Sequence, residues 1–344
     1  MNHPPRRGEE LPPGELDGLP DWNAQAWELI KARDAKNPPA EQFPARVADL
    51  PTRKRASLRA VRAHNSVAGA SREAAAVDPA TVPLSLVEAW QRFNPNSSPR
   101  LLPGDEALGT PKWAFRYPTY EAFVESPDFG QASPRFHLEL LPQPFIGHLT
   151  TASVFLLLLN PGFSPGDYYA QQHAPAFAAA KKRNLAQQNG ADPYPFFYLD
   201  PQFAWTAGGQ WWQARLRSVA DELVAQNRCT LHRAYAHISR HTACLELFPY
   251  HSRAFTAPKV ELESTRLVRQ YVGQTLVPRA LAGDAVLVAT RQIKAWQAHW
   301  PAAAFPHPNI VAYSAGQARG AHLSMQTPGG QALQHRLQAL WTAA

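Results

Sequence analysis

The strongest constraint on the fold of this 344-residue chain is an apolar run over residues 152–159, Ala-Ser-Val-Phe-Leu-Leu-Leu-Leu. A continuous run of this kind is typical of a strand buried on both faces of a parallel sheet. The run stops abruptly at Asn160-Pro161-Gly162. Because open α/β sheets carry their chemistry where strands run into loops, this junction is a candidate site. The alternative is an ordinary turn, which the same three residue types also form.

The segments that follow alternate between helical and extended patterns. Helices are predicted over residues 211–225, 260–276, 293–299 and 330–341, and strands over residues 242–248, 285–289 and 309–313. Pro278 comes soon after the second of these helices. Alternating strands and helices favour an α/β fold with a central, mainly parallel sheet covered on both faces, that is, a three-layer α/β/α domain.

The N-terminal part of the chain has a different composition. Residues 1–80 are rich in proline, alanine and charge, and we expect a Pro-rich, partly disordered basic extension with a short helix near residues 22–31. Residues 51–72 contain six lysines and arginines and no acid, and residues 54–64 could form a basic helix. Arg53 and Arg55 belong either to a DNA-binding arm or to a solvated tail. Residues 81–344 are expected to form the α/β domain, with the aromatic-rich residues 81–145 packed onto its core.

The overall composition narrows the class of partner and the compartment. The formal net charge of +7 suits a polyanionic partner, because neutralising phosphates releases counterions. Two cysteines, Cys229 and Cys244, provide neither a disulfide framework nor a four-cysteine iron–sulfur cluster. The chain begins without the apolar segment of a signal peptide, and its longest apolar run is far too short to span a bilayer. A soluble, cytoplasmic monomer without membrane contact is expected.

Three segments of the chain resemble motifs of the uracil-DNA glycosylase superfamily, in the order in which that family carries them. The first is Asn160-Pro161-Gly162 after a hydrophobic strand, which resembles the mismatch-specific uracil and thymine glycosylase branch and the single-strand-selective branch. The second is Gly-Gly-Gln-Trp-Trp over residues 208–212, a glycine-rich turn before an aromatic helix start. The third is Val-Ala-Tyr-Ser-Ala-Gly-Gln-Ala-Arg-Gly over residues 311–320, a small polar loop after the last strand. The resemblance covers about residues 150–325.

This resemblance implies a monofunctional DNA-repair glycosylase that needs neither metal nor cofactor. Such an enzyme flips uracil, or a related damaged or mismatched base, out of DNA and hydrolyses its N-glycosidic bond. Asn160 matches the position that holds the attacking water. Gly162 matches the position where stricter uracil enzymes carry a bulky side chain, so an open pocket is implied. Arg319, in the same loop as Gln317, matches the residue that some members insert into the gap left by the flipped nucleotide.

The remaining candidate residues follow from residue type and position. The base pocket is expected to contain Pro161, Gly162, Phe163 and Ser314, with Phe196 as the first choice for stacking on the base, although each aromatic residue could simply fill the core. His251 could bind a developing oxyanion or a phosphate. Asp167 could be an auxiliary base, or a residue that caps a helix. The expected DNA contacts are Ser252, Arg253, Lys181, Lys182, Arg319, Gln317, Arg53 and Arg55.

The chain departs from the family pattern at two points. Leu158 stands where a glycine is usual, and Ser314-Ala315-Gly316 stands where many members have a His-Pro-Ser whose histidine stabilises the departing base. His322 could substitute for that histidine. Because of these departures, a non-catalytic DNA-binding protein on a glycosylase scaffold is the alternative hypothesis, and an enzyme acting on a free nucleoside or another small molecule is a third.

Overall fold

The computed structural model describes residues 85–297, 300–301, 304, 306–318 and 322–342. The expected helices near residues 22–31 and 54–64, and the candidate DNA contacts Arg53, Arg55 and Arg319, lie outside these residues. None of the helices in the described part of the chain has the length and apolar character needed to span a bilayer.

A five-stranded sheet forms the centre of the domain. Its spatial order is β3-β5-β4-β6-β7, in which only β3 is antiparallel to its neighbour. A separate pair of short parallel strands, β1 and β2, precedes it. The strands are β1 (Ala114–Phe115), β2 (Phe136–His137), β3 (Phe145–Ile146), β4 (Val154–Leu158), β5 (Thr242–Glu246), β6 (Val286–Ala289) and β7 (Ile310–Ala312). The predicted strands β4 to β7 are therefore confirmed, with bounds shorter by one or two residues at most ends.

Helices pack on both faces of this sheet. They are α1 (Leu86–Gln91), α2 (Tyr120–Val124), α3 (Pro165–His173), α4 (Pro175–Leu185), α5 (Ala207–Asn227), α6 (Leu231–His241), α7 (Glu263–Tyr271), α8 (Val277–Leu281), α9 (Ile293–Trp296), α10 (Ala315–Ala318) and α11 (Pro328–Thr342). Phe155 and Leu157 of β4 join one apolar cluster with α1, α7, α8 and α9, whereas Leu156 joins a second cluster with α4, α5, α6 and α11. Successive side chains of a strand point to opposite faces, so β4 is buried on both. The expected mixed α/β fold with a mostly parallel sheet between helices is confirmed.

The helix predicted over residues 260–276 has a more complex form. It begins as α7 (Glu263–Tyr271), continues through a π-helical turn at Val272–Leu276, and resumes as α8, whose first turn contains Pro278. Proline is tolerated in the first turn of a helix, because the amide hydrogen it lacks is not required there. The helical course therefore runs past Pro278 rather than stopping before it.

The segment before the sheet is tied to the core by apolar packing, as its aromatic content predicts. Leu86, Trp90, Leu102 and Leu108 are buried in the same cluster as Phe155 of β4. Sequence patterns gave no sign of β3, because two residues are too few to show an alternating pattern.

Asp105 connects this segment to two others. The carboxylate is fully buried, and it accepts a hydrogen bond from the hydroxyl of Tyr250 at 2.6 Å and one from the backbone N–H of Ser264, in α7, at 3.2 Å. The Tyr250 oxygen in turn accepts the N–H of Leu102 at 3.0 Å. One side chain thus holds together the early segment, the loop after β5 and the start of α7.

Replacing Asp105 by alanine is expected to lower the free energy of unfolding by about 3 kcal/mol, because two buried donors lose their acceptor. Urea titration followed by circular dichroism measures this change. Glu106→Ala is the matched control, because this neighbouring carboxylate is exposed and accepts the N–H of Gly104 in its own turn. A loss for Asp105→Ala no larger than that of the control would contradict the assignment.

Candidate active site

The strand order creates a crevice at the carboxyl end of β4. The chain passes from β4 to β5 on one side and then crosses to β6 on the other side, so β4 marks the point where the strand order reverses. Open α/β sheets bind ligands at such a point, outside the carboxyl ends of the strands. A cavity of about 410 Å³ lies there; we call it the sheet-edge cavity. Its wall includes residues 158–164, Asp167, Gln143, Tyr198, Ala207, Gly208, Trp211, Trp212, Glu246, residues 251–255 and Arg291.

Asn160 stands at the rim of this cavity with a fixed amide orientation. Its Nδ2 lies 3.1 Å from the Oγ of Ser252 and 3.5 Å from the backbone carbonyl oxygen of the same residue. A carbonyl oxygen can only accept a hydrogen bond, so the NH₂ group faces Ser252. Among the described residues nothing donates a hydrogen bond to the Oδ1 of Asn160, so this oxygen is available there as an acceptor. Ser252 itself is buried and serves to orient the amide.

A buried chain of polar groups holds the loop that follows Asn160. The Nζ of Lys181 lies 3.2 Å from the carbonyl oxygen of Leu141 and 3.3 Å from the Nε2 of His251. The Nδ1 of His251 lies 3.0 Å from the carbonyl oxygen of Gly162. Because an ammonium group only donates and a carbonyl only accepts, His251 must accept at Nε2 and donate from Nδ1. The histidine is thereby fixed as one neutral tautomer.

The pKa shifts of Lys181 and His251 agree with the hydrogen bonds that join them. Burial, followed by the positive charge of Lys181, holds the pKa of His251 well below its ordinary value. Burial also lowers the pKa of Lys181 to about 8, although the charge of Asp167 acts in the opposite direction. Both nitrogens of His251 are engaged within the protein, so the expected role of binding an oxyanion or a phosphate is not available to it in this arrangement. His251 instead positions the backbone of Gly162.

Phe163 provides an aromatic surface next to this loop. Its ring is stacked on the imidazole of His137, with centroids 3.5 Å apart and an interplanar angle of 12°. The rings of Phe123 and Tyr168 lie nearly perpendicular to it, at 82° and 78°. Three neighbours thus hold the ring, and Phe163 also forms part of the cavity wall. Gly162, with φ +68°, makes the turn that leads to Phe163, in the left-handed region that glycine favours.

The start of α5 supplies the opposite wall. Thr206 caps this helix by accepting the N–H of Gly209, and Gly208, Trp211 and Trp212 line the cavity. A side chain at Gly208 would collide with the ring of Tyr198, which is another wall residue. The glycine-rich turn and aromatic helix start recognised in the sequence are therefore brought to the same cavity as Asn160, although the two segments lie nearly 50 residues apart.

Asp167 caps a helix and also lines the cavity, so its position suits both the cap and the auxiliary base considered for it. Its carboxylate accepts the N–H of Ser164 at 2.7 Å, as the third residue of a capping box at the start of α3. The residue is half-buried and lines the cavity. Burial raises its pKa, while the Ser164 N–H and the charge of Lys181 lower it. The helix cap is observed, and the auxiliary-base role stays a prediction.

Several wall residues were not anticipated from the sequence. Gln143, Tyr198, Glu246 and Arg291 all line the cavity, and the hydroxyl of Tyr198 donates to the Oε1 of Gln143 at 3.0 Å. Glu246 is the last residue of β5 and is only 3% exposed. A signal for Glu246 was present, since it is the one acid within the apolar run of residues 242–248.

Four of the expected site residues lie elsewhere. Phe196 is fully enclosed in the core, edge-on to Trp212, so it offers no free ring face to a base. His322 is exposed and its Nδ1 lies 2.8 Å from an Nη of Arg215, outside the cavity wall. Ser314 and Gln317 cap each other at the start of α10, where the N–H of Ser314 donates to the Gln317 side chain at 2.9 Å. Neither belongs to the cavity wall.

The expected DNA contacts fall into two groups among the described residues. Lys181 is wrong as a DNA contact, because it is 3% exposed and its ammonium group is bound beneath the loop. Ser252 is likewise buried, whereas Lys182 and Arg253 are exposed and could reach a phosphate. Arg253 lies at the cavity and donates to the carbonyl oxygen of Gly130 at 2.9 Å.

Comparisons with protein-family models, with curated proteins and with solved structures found no match to this chain. Within the described residues, no group of three or more His, Cys, Asp or Glu side chains is arranged to hold a metal ion.

Proposed function

We propose that the protein is a DNA-repair glycosylase with a uracil-DNA glycosylase-like domain. It takes uracil, or a related damaged or mismatched base, into the sheet-edge cavity and hydrolyses the N-glycosidic bond, and Asn160 positions the attacking water. The observation that carries this proposal is the orientation of the Asn160 amide at the cavity rim. With Nδ2 bound to Ser252, Oδ1 is the atom left to accept a hydrogen bond from water.

The shape of the cavity supports a flat, partly apolar ligand. One face of the Phe163 ring is covered by His137, and the residue lines the cavity, where it can contact a base. Stacking of a base on an aromatic ring contributes about 1–3 kcal/mol. Gly162 leaves the space beside this ring open, since nothing lies within 4 Å of where a side chain would begin. An opening of this kind admits bases with a substituent as well as uracil.

The charge around the cavity suits a nucleotide rather than an uncharged small molecule. Arg253 and Arg291 line the wall, and the exposed Lys182 lies on α4, the helix whose Lys181 is bound beneath the loop. Arginines at a rim can bind the phosphates on either side of an extruded base. The formal charge of +7 for the whole chain adds a sequence-independent attraction to DNA.

The proposal is tested by base release from end-labelled oligonucleotides at low salt. Single strands and duplexes carry uracil opposite adenine or guanine, or thymine opposite guanine, and alkali cleaves each strand wherever a base has been removed. We expect release of uracil and none from the same sequences with normal pairs. Duplexes with one mispair and no uracil separate the mismatch activity from the uracil activity.

Two results would count against this function. Binding that weakens steeply with salt, without release of any base, would favour the non-catalytic DNA-binding alternative. Absence of both binding and release would favour an enzyme that acts on a small molecule.

A further inference from the structure

We propose that Glu246 is the acid of this site and gives a proton to the departing base. The inference rests on the proposed function, since it names a second catalytic residue for the same reaction. It addresses the gap left by Ser314-Ala315-Gly316, which replaces the histidine expected to stabilise the leaving base and lies outside the cavity wall.

The position of Glu246 places it deeper in the crevice than Asn160. Glu246 ends β5 and is paired in register with Leu158 of the neighbouring strand β4, two residues before Asn160. Both Glu246 and Asn160 belong to the cavity wall. A base that enters past Asn160 is therefore brought toward Glu246, while its sugar stays near the rim.

The carboxyl group of Glu246 is poorly satisfied by the protein. Its Oε2 is buried and has no hydrogen-bond partner among the described residues. Its Oε1 receives only a weak contact from the thiol of Cys244, at 3.8 Å. Buried polar groups are nearly always paired, so a group left unpaired in a cavity wall calls for an explanation. A ligand in the cavity provides one.

Three of the other ionisable groups of the wall are already bonded within the protein; Arg291, whose Nε has no hydrogen-bond partner among the described residues, is not. Both nitrogens of His251 are bonded, the hydroxyl of Tyr198 donates to Gln143, and Arg253 donates to Gly130. Burial raises the pKa of Asp167, and the N–H of Ser164 and the positive charge of Lys181 act against this rise. Asp167 differs from Glu246 in its hydrogen bonding: its carboxylate already accepts an N–H, whereas the Oε2 of Glu246 has no partner among the described residues.

The surroundings of Glu246 favour its protonated form. Burial raises its pKa well above the ordinary value, against smaller opposing effects of Arg291 and Cys244. The groups that interact with it electrostatically are Arg291 after β6, Cys244 on its own strand and the phenol of Tyr198. A neutral carboxyl group has one O–H donor, which is what an anion forming on a base requires.

The hydrolysis transfers one proton to the base and removes one from the attacking water. The C1′–N bond breaks and its electron pair leaves with the base, which takes the proton of Glu246. The oxygen of the water held by Asn160 bonds to C1′, and the proton that this water loses passes to Asp167 and then to solvent. Glu246 regains a proton from solvent when the base departs, so the net reaction is hydrolysis without any other reactant.

The test compares two leaving groups, uracil and 5-fluorouracil, in otherwise identical oligonucleotides under single-turnover conditions. Fluorine stabilises the departing anion and so reduces the need for a proton. Glu246→Gln keeps the size of the side chain but has no proton to transfer. We expect it to release uracil about 100-fold more slowly than wild type and 5-fluorouracil less than about tenfold more slowly. Asn160→Ala is the control, because it should slow both bases equally.

Each outcome has a distinct meaning. If the wild type releases uracil and Glu246→Gln releases it equally fast, or releases both bases more slowly by the same factor, the role of Glu246 is overturned. The glycosylase function then still stands. A folded wild type that releases neither base overturns both. If Glu246→Gln does not fold, the wild type alone tests the inference. With an acid in the site, its rates of uracil release and 5-fluorouracil release should agree within about tenfold. A much faster release of 5-fluorouracil by the wild type contradicts the inference.

Discussion

Asn160→Ala is expected to release uracil about 1,000-fold more slowly than wild type, which corresponds to about 4 kcal/mol in the activation barrier. An amide is not a base at neutral pH, so its contribution is to place the water rather than to deprotonate it. Removing the side chain removes the Oδ1 acceptor but leaves the cavity wall otherwise intact. Single-turnover release at saturating enzyme measures the chemical step apart from DNA binding.

A second substitution at the same position separates water placement from loop structure. Asn160→Asp keeps an oxygen near the Oδ1 position and can still accept the hydroxyl hydrogen of Ser252, so it should retain far more activity than Asn160→Ala. DNA affinity should change less than about threefold in Asn160→Ala, because this variant neither removes nor adds a charge near phosphate. Equal losses for the two substitutions, accompanied by a lower urea midpoint, would show that Asn160 acts only by holding the loop.

The sequence was most informative where one pattern had one physical meaning. The apolar run before Asn160 indicates burial on both sides, so its place in the middle of the sheet could be predicted, and with it a crevice at the carboxyl end of β4. The helix start at residues 207–212 was recognisable from its glycines and tryptophans. That these two segments share one cavity depends on the long-range packing of α5, which local patterns do not contain.

The sequence was misleading where neighbouring residues of one type have different environments. Lys181, Lys182 and Arg183 look like one basic surface. In α4 each residue is turned by about 100° from the last, so Lys181 shares the buried face with Phe177 and Asn184 while the other two are exposed. The spacing of four and three residues between these buried positions was the available signal.

For Phe196 and Glu246, the sequence alone does not show whether the side chain lines the cavity or packs behind it. An aromatic residue near a site can line the cavity or support its wall, and only packing against Trp212 decides that Phe196 supports it. A single acid in an apolar strand can end the strand or lie within the crevice, and the pairing of Glu246 with Leu158 decides for the crevice. Both outcomes depend on contacts between segments far apart in the chain.

Lys181 leads to a prediction about stability and pH. Burial lowers its pKa from 10.5 to about 8 in the folded protein, whereas in the unfolded chain the ordinary value applies. Between these two values the unfolded chain holds a proton that the folded protein has released, so this group makes the folded state more stable as the pH rises. Relative to Lys181→Met, which has no such proton, the wild type should therefore gain about 3 kcal/mol between pH 7 and pH 10.5.

Urea unfolding of the wild type and of Lys181→Met at intervals of half a pH unit measures this gain directly. Taking the difference between the two proteins cancels the titration of cysteines and tyrosines elsewhere in the chain. Lys182→Met is the matched control, because it removes the same charge from the next residue, which is exposed rather than buried. Parallel curves for Lys181→Met and wild type would mean that the ammonium group is solvated in the folded protein. The chain from Lys181 through His251 to Gly162 would then not hold the loop that carries Asn160.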